Sequence, residues 1–231
     1  MRIRSPVSTP AWTSRNTTDV RDSLRQILLS RGAKVGVFLL CLSPLGFLSA
    51  RAYNGRLGAN PIEFVQHFTG SWTLRFLLIT LSITPLRKLL SLPDLIRFRR
   101  MMGLFAFFYV SLHFLTYIGP DQAFDLAAMP KDVAKRPVIT VGFTGFVLLI
   151  PLAITSTKGW IRRLGGKNWQ ALHRLIYIAA LCGVVHYYWL VKSDHRLPLL
   201  YAAILAVLFL YRLSSFLLKP KPQHAVERSA A

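Results

Sequence analysis

Acidic residues are scarce in this chain. Nine Asp and Glu stand against 29 Lys and Arg in 231 residues, a formal net charge of +20. Charge as a whole is scarce as well, at 16% of residues against about 25% in an average soluble domain. A soluble nucleic-acid binder would spread its basic residues over a hydrated surface, and so few charges cannot provide one. No nucleic acid is therefore expected as a partner. Cysteine is nearly absent: Cys41 and Cys182 lie in different apolar stretches without metal-ligand spacing. That excludes a disulfide framework and a zinc site, and both read as small buried hydrophobes. The chain has no G-x-G-x-x-G or Walker A loop and no Ser/His/Asp arrangement. It also has no acidic pair within an apolar run and no internal repeat. Nucleotide-domain chemistry, triad hydrolysis and transport by inverted repeats lose their usual signatures.

What is present is apolar length. Hydrophobic residues make up 53% of the chain and gather in six runs: Val35–Ala50, Phe64–Thr84, Met101–Ile118, Val138–Thr155, Trp169–Val191 and Leu197–Leu218. Most approach the ~20 residues that carry a helix across ~30 Å of hydrocarbon. Backbone facing lipid must satisfy its own hydrogen bonds, so helices are the form expected. The fold class is an all-α membrane protein, a six-transmembrane-helix bundle with the lipid bilayer as its solvent. Pro44 interrupts the first run, and Pro85 is expected to close the second. A basic leader before Val35 and the small pair Ser49-Ala50 leave open a cleaved signal peptide. Val20 to Leu29 has the composition of a short interfacial helix.

The basic residues orient the bundle. The N-terminal segment, the loops between runs two and three and between runs four and five, and the C-terminal tail hold 19 Lys and Arg with four acids. The three loops on the other side hold seven and five. By the positive-inside rule both termini are cytoplasmic. Three parts follow: 1–34, a basic cytoplasmic segment; 35–218, the membrane domain; and 219–231, a cytoplasmic tail. The outer loop from Gly119 to Pro137, with Asp121, Asp125 and Asp132, is the expected docking surface for a partner.

Polar side chains at membrane depth call for a reason. His195 and His224 fall in an outer loop and in the tail, where solvation suffices. His67 lies near the outer end of run two, His113 in run three, and His173 and His186 in run five. On one ideal helix His173 and His186 stand roughly 19.5 Å apart along the axis and ~140° apart around it. By depth, His113 and His186 face each other near the outer side. That arrangement suits two axial imidazoles on one b-type haem inside a helix bundle. His173, toward the inner side, is left for a second haem or another redox group. Met101 or Met102 are conceivable axial partners for it, and structural histidines bonded to nearby carbonyls remain the alternative. Arg75, inside run two, either snorkels or meets an anionic cofactor group, a haem propionate or a flavin phosphate. The aromatics Phe107, Phe108, Tyr109, Phe114, Tyr117, Tyr187, Tyr188 and Trp189 either line a haem pocket or form an interfacial belt.

Three stretches carry a family resemblance. They are His67-Phe68-Thr69-Gly70-Ser71-Trp72 through Arg75 to Thr84-Pro85-Leu86-Arg87; Arg99-Arg100-Met101-Met102-Gly103 through His113; and Asn168-Trp169-Gln170-Ala171-Leu172-His173-Arg174 through His186-Tyr187. Together they resemble the heme-binding membrane subunits of bacterial protein-methionine-sulfoxide reductases (the MsrQ family, in the ferric-reductase-like transmembrane group) over about residues 35 to 218. The resemblance implies a b-type haem protein of the bacterial inner membrane, with haem-iron ligands falling on His113, His173 and His186. It also implies FMN, at a site that maps to no residues here. The implied activity is electron transfer from the quinone pool, or from a cytosolic flavin reductase, to a periplasmic molybdopterin-containing reductase that repairs oxidised methionines in envelope proteins. Larger relatives of the group carry two histidines on each of two spans and a C-terminal flavin and nicotinamide domain. This chain has one histidine in run three and no such domain. Two rival readings stay open: a stand-alone transmembrane ferric or quinone reductase, and a haem-free transporter or assembly factor.

Overall fold

The computed structural model describes residues 22–218. Most of the basic segment 1–34, the tail 219–231 and His224 lie outside the described residues. Among those described, every regular element is helical. Residues 22–29 form a first helical segment, within the stretch expected to be an interfacial helix. Eight α-helices follow: α1 (Arg31–Tyr53), α2 (Pro61–Leu89), α3 (Ile96–Thr116), α4 (Met129–Lys135), α5 (Pro137–Ile154), α6 (Lys158–His173), α7 (Leu175–Leu190) and α8 (Arg196–Leu217). A 3₁₀ turn, Pro93–Leu95, leads into α3, and a π-helical turn, Tyr117–Asp121, leaves it.

Four segments are long and apolar enough to cross a membrane: Arg31–Tyr53, Pro93–Pro120, Pro137–Ile154 and Arg196–Leu217. The other two expected spans differ for separate reasons. α2 has ample length, 29 residues, but it is rich in hydroxyls and carries Arg75 in its interior. Four of those hydroxyls are satisfied within the helix. Thr69, Thr73, Thr80 and Ser82 donate to the carbonyls of Val65, Thr69, Phe76 and Leu78 at 2.6–3.0 Å. Thr69, Thr73 and Thr80 are all buried, so α2 is an inner helix whose polar atoms need no solvent. α7 is apolar but has 16 residues, about 24 Å of rise.

Two sequence expectations are corrected. Pro85 does not end the second run: α2 continues to Leu89. A proline removes a single backbone donor, and in the last turn of a helix that loss does not stop the next residues from bonding. The fifth run is not one helix. α6 and α7 meet at Arg174, and Gly165, at φ 72° and ψ 152°, puts a second kink inside α6. Only glycine adopts that backbone conformation at little cost.

Pro44 is accommodated by a stitch from a neighbour. It deprives the Leu40 carbonyl of its helical donor, and the Ser43 hydroxyl supplies one at 2.8 Å. The bond expected between Leu45 N–H and the Cys41 carbonyl is opened, and the Tyr109 hydroxyl sits in the gap. It donates to the Cys41 carbonyl at 3.0 Å and accepts from Leu45 N–H at 3.1 Å. Tyr109 is fully buried. Of the aromatics proposed as pocket lining, this one instead ties α3 to α1. Met102 is core as well, its sulfur 3.8 Å from the Cys41 thiol.

The helices pack as two close pairs, α2 with α3 and α5 with α7. Small residues let the second pair approach. A Cβ on Gly145 would meet the Cys182 Cβ at 3.2 Å, in keeping with glycine at membrane helix interfaces. α1 leans on α3, while α8 packs on α2 and α7. Between the pairs lies a cavity that holds the site.

Candidate functional site

His113, on α3, and His186, on α7, come together across that cavity. Their ring centres are 6.2 Å apart and the ring planes cross at 79°. Each ring is fixed from behind by the same device. His113 Nδ1 is 3.0 Å from the Gln66 carbonyl of α2, and His186 Nδ1 is 2.7 Å from the Val138 carbonyl of α5. A carbonyl only accepts, so both Nδ1 atoms donate, and each Nε2 is left as a neutral lone pair. Four residues after each of these carbonyls, on the same helix face, stands a glycine. A Cβ on Gly70 would meet the His113 ring at 3.2 Å, and one on Gly142 would meet His186 Nδ1 at 2.6 Å. The absent side chains are what let the rings reach the backbone. Thr69 adds its hydroxyl 3.5 Å from His113 Nδ1.

The cavity measures about 680 Å³, within the range of sites that enclose a cofactor. Leu74, Val110, Leu149 and Ala179 line its deep part, with Phe114 and Phe146 along one wall. Its mouth is polar: Glu63, His67, Tyr117, Arg136 and Lys192 line it. His67 Nε2 lies 3.7 Å from a Glu63 carboxylate oxygen.

Metal–imidazole bonds run about 2 Å, so two imidazoles facing each other across a metal hold their ring centres about 6 Å apart. The observed spacing meets that requirement. Among the described residues no three of His, Cys, Asp and Glu converge. A metal between the two rings would thus have two protein ligands, which suits an iron whose remaining positions belong to a macrocycle. Carbonyl partners on the far ring nitrogens are the usual support for such ligands.

The other expected site residues are elsewhere. His173 does not line this cavity. It ends α6, its ring stacked on Trp169 at 3.9 Å and its Nδ1 3.0 Å from the Trp169 carbonyl. Its Nε2 is buried without a hydrogen-bond partner. Arg75 is also outside the cavity. Its Nε donates to the Tyr201 hydroxyl at 3.1 Å, and its guanidinium lies over Trp72 at 4.8 Å. Phe114, Tyr117 and Tyr187 line the cavity, whereas Tyr188 and Trp189 are exposed. His195 is not simply solvated: its ring packs on Tyr188 at 4.8 Å.

Sequence reasoning missed the two anchoring carbonyls, the glycines that expose them, and the cations Arg136 and Lys192 at the mouth. Two of the acids expected at the docking loop are engaged internally. Asp125 caps the Ala127 and Ala128 N–H groups. Asp132 accepts from Tyr117 at 2.6 Å and from Arg136.

Comparison with known proteins identifies the family. The family model described as "Ferric reductase like transmembrane component" matches residues 69–184, a span that includes His113 and His173 and stops two residues short of His186. A protein of Caulobacter vibrioides named "Protein-methionine-sulfoxide reductase heme-binding subunit MsrQ" is 53% identical over 176 residues, covering 76% of this chain and 84% of that one. Proteins of the same name from Herminiimonas arsenicoxydans and Rhodospirillum rubrum are 56% and 53% identical, covering 76% and 79% of this chain and 82% and 88% of theirs. No solved structure matches. With the four membrane-length helices, these relatives mark a multi-pass bacterial membrane protein. The chain belongs to the ferric-reductase-like transmembrane family and, within it, to the heme-binding subunits of protein-methionine-sulfoxide reductase, the MsrQ family.

Proposed function

We propose that this chain is a haem b-binding electron-transfer subunit, in which His113 and His186 would hold the haem iron. The carrying observation is the 6.2 Å separation of two imidazoles whose Nδ1 atoms are both held by carbonyls. A haem held there supplies reversible one-electron chemistry. The protein's part is to present two neutral Nε2 lone pairs, fix the ring planes and keep water from the apolar end of the cavity. Arg136 and Lys192 at the mouth offer charge to carboxylates on a bound group. His173, at the junction of α6 and α7, is the ligand of this reading for a second, inner redox site.

The finer reading includes six transmembrane helices with both termini cytoplasmic, supported by the charge asymmetry of the loops. It divides the chain at 34 and 218. Electrons come from the quinone pool or a cytosolic flavin reductase and leave for a periplasmic molybdopterin-containing methionine-sulfoxide reductase. FMN is a further cofactor of this reading, and Arg75 is a contact for a haem propionate or a flavin phosphate. Family resemblance supports the donor, the acceptor and FMN. The names of the relatives support haem and the methionine-sulfoxide reductase system.

The test is optical. The full chain purified in detergent should show a Soret band and, with dithionite, a sharpened α-band. The reduced protein should then be reoxidised by the partner reductase given methionine sulfoxide. A colourless protein would sink the redox reading. A coloured one that the partner leaves reduced would remove the acceptor from it.

A further inference from the structure

The end of the bundle opposite the histidine pair carries three arginines that no described carboxylate pairs with. Arg87 lies in the last turn of α2, Arg99 in the first turn of α3 and Arg212 near the end of α8. All three are half-buried. Arg99 is within Coulombic reach of both Arg212 and Arg87, and of Tyr177 on α7. Arg212 lies over the Tyr177 ring at 5.0 Å, and its Nη2 is buried without a hydrogen-bond partner. Thr84 Oγ1, less than one turn before Arg87, is buried and unpartnered too.

Described carboxylates do not answer these charges. Asp94, in the turn before α3, is bound by Arg25 at 3.0 Å. Asp22 is exposed at the start of the first helical segment and forms no ion pair with any of the three arginines. Like charges gathered at half-burial from three helices are unfavourable until an anion joins them. Guanidinium forks suit phosphate oxygens in particular. The surroundings narrow the source of that phosphate. Leu89 on α2 and Leu213, Phe216 and Leu217 on α8 are 80%, 54%, 74% and 69% exposed beside the cluster. Apolar side chains next to a cationic cluster at a helix end match a headgroup with acyl chains attached, rather than a soluble anion.

We propose that Arg87, Arg99 and Arg212 form a binding site for the headgroup phosphate of an anionic phospholipid, whose acyl chains lie along the ends of α2 and α8. The site stands apart from the His113–His186 pair and does not depend on a haem there; Arg99 is also within Coulombic reach of His173. It docks a lipid between three helices that otherwise repel one another at this end.

Native mass spectrometry of the full chain in neutral detergent tests it, with phosphatidylglycerol, phosphatidylcholine and inorganic phosphate as probes. Phosphatidylglycerol is expected to bind at least about tenfold more tightly than phosphatidylcholine. In the Arg99→Gln/Arg212→Gln variant that preference should vanish. Should the double variant not fold, Arg212→Lys is expected to weaken phosphatidylglycerol several-fold while keeping the preference. Equal binding of the two lipids by the parent chain, a preference unchanged in the double variant, or phosphatidylglycerol affinity unchanged in Arg212→Lys would overturn the proposal. Release of phosphatidylglycerol by an equal concentration of inorganic phosphate would overturn it too, by assigning the cluster to a soluble anion.

Discussion

Gly70 and Gly142 carry the same burden with different tolerance. A Cβ at Gly142 would stand 2.6 Å from His186 Nδ1, a contact that cannot persist, whereas at Gly70 the nearest ring atoms of His113 are at 3.2 Å. Overpacking of this kind costs about 1–3 kcal/mol, and here the ring must leave its carbonyl to relieve it. Gly142→Ala is therefore expected to lower haem content on the order of tenfold, and Gly70→Ala distinctly less. Haem per chain, measured as a pyridine haemochrome on equal amounts of folded protein, checks the order. His67, His113, His173 and His186 could be singled out from the sequence because polar groups in or beside apolar runs are rare and costly. The carbonyls of Gln66 and Val138 could not. Their role depends on which helices pair and in what register, and a backbone oxygen has no sequence signature. The glycines were the one available hint: each stands on a helix face where a neighbour's ring must approach.

At the scale of elements, the break in α1 and its repair are separable. Tyr109→Phe removes the hydroxyl that fills the opened bond between Cys41 and Leu45. Leaving those buried backbone groups unpaired costs about 1–3 kcal/mol, so the thermal midpoint in detergent should fall. Adding Pro44→Ala lets the helical bond re-form, and the double variant should lose less than Tyr109→Phe alone. Equal losses in the two variants would separate the tyrosine from the proline. The outer segment around α4 offers a second handle. Hydrogen bonds from Arg136 and then from Tyr117 hold the Asp132 carboxyl below the usual carboxylate range. A depressed carboxylate adds stability above the ordinary aspartate value of about 3.9. That contribution fades as pH falls through the lower folded value. Hydrogen exchange over residues 119–137 should stay slow at neutral pH and rise only in strong acid. Asp132→Asn should exchange fast at neutral pH already. Helix positions were legible in the apolar runs, but the Arg174 junction was not, because it separates two segments of continuous helical composition without a proline or an N-cap signal.

On the scale of the whole molecule, charge and shape divide the work. The scarcity of acids leaves the arginine cluster of α2, α3 and α8 without partners, and the loop asymmetry points that end toward the cytoplasm. A fluorescent reporter that matures only in the cytoplasm, fused after residue 231, is expected to light up; a dark, full-length fusion would reverse the topology. The two helix pairs, α2 with α3 and α5 with α7, each contribute one glycine, one carbonyl and one histidine to a shared cavity, which is why His113 and His186 meet although 73 positions separate them. His173, at the other end, belongs to a different environment. Haem content of single histidine variants separates the two ends most directly. His113→Ala and His186→Ala should each abolish the absorption of the outer haem, while His173→Ala should leave that absorption in place. A reduced spectrum of undiminished intensity in either of the first two variants would contradict the assignment of the axial pair.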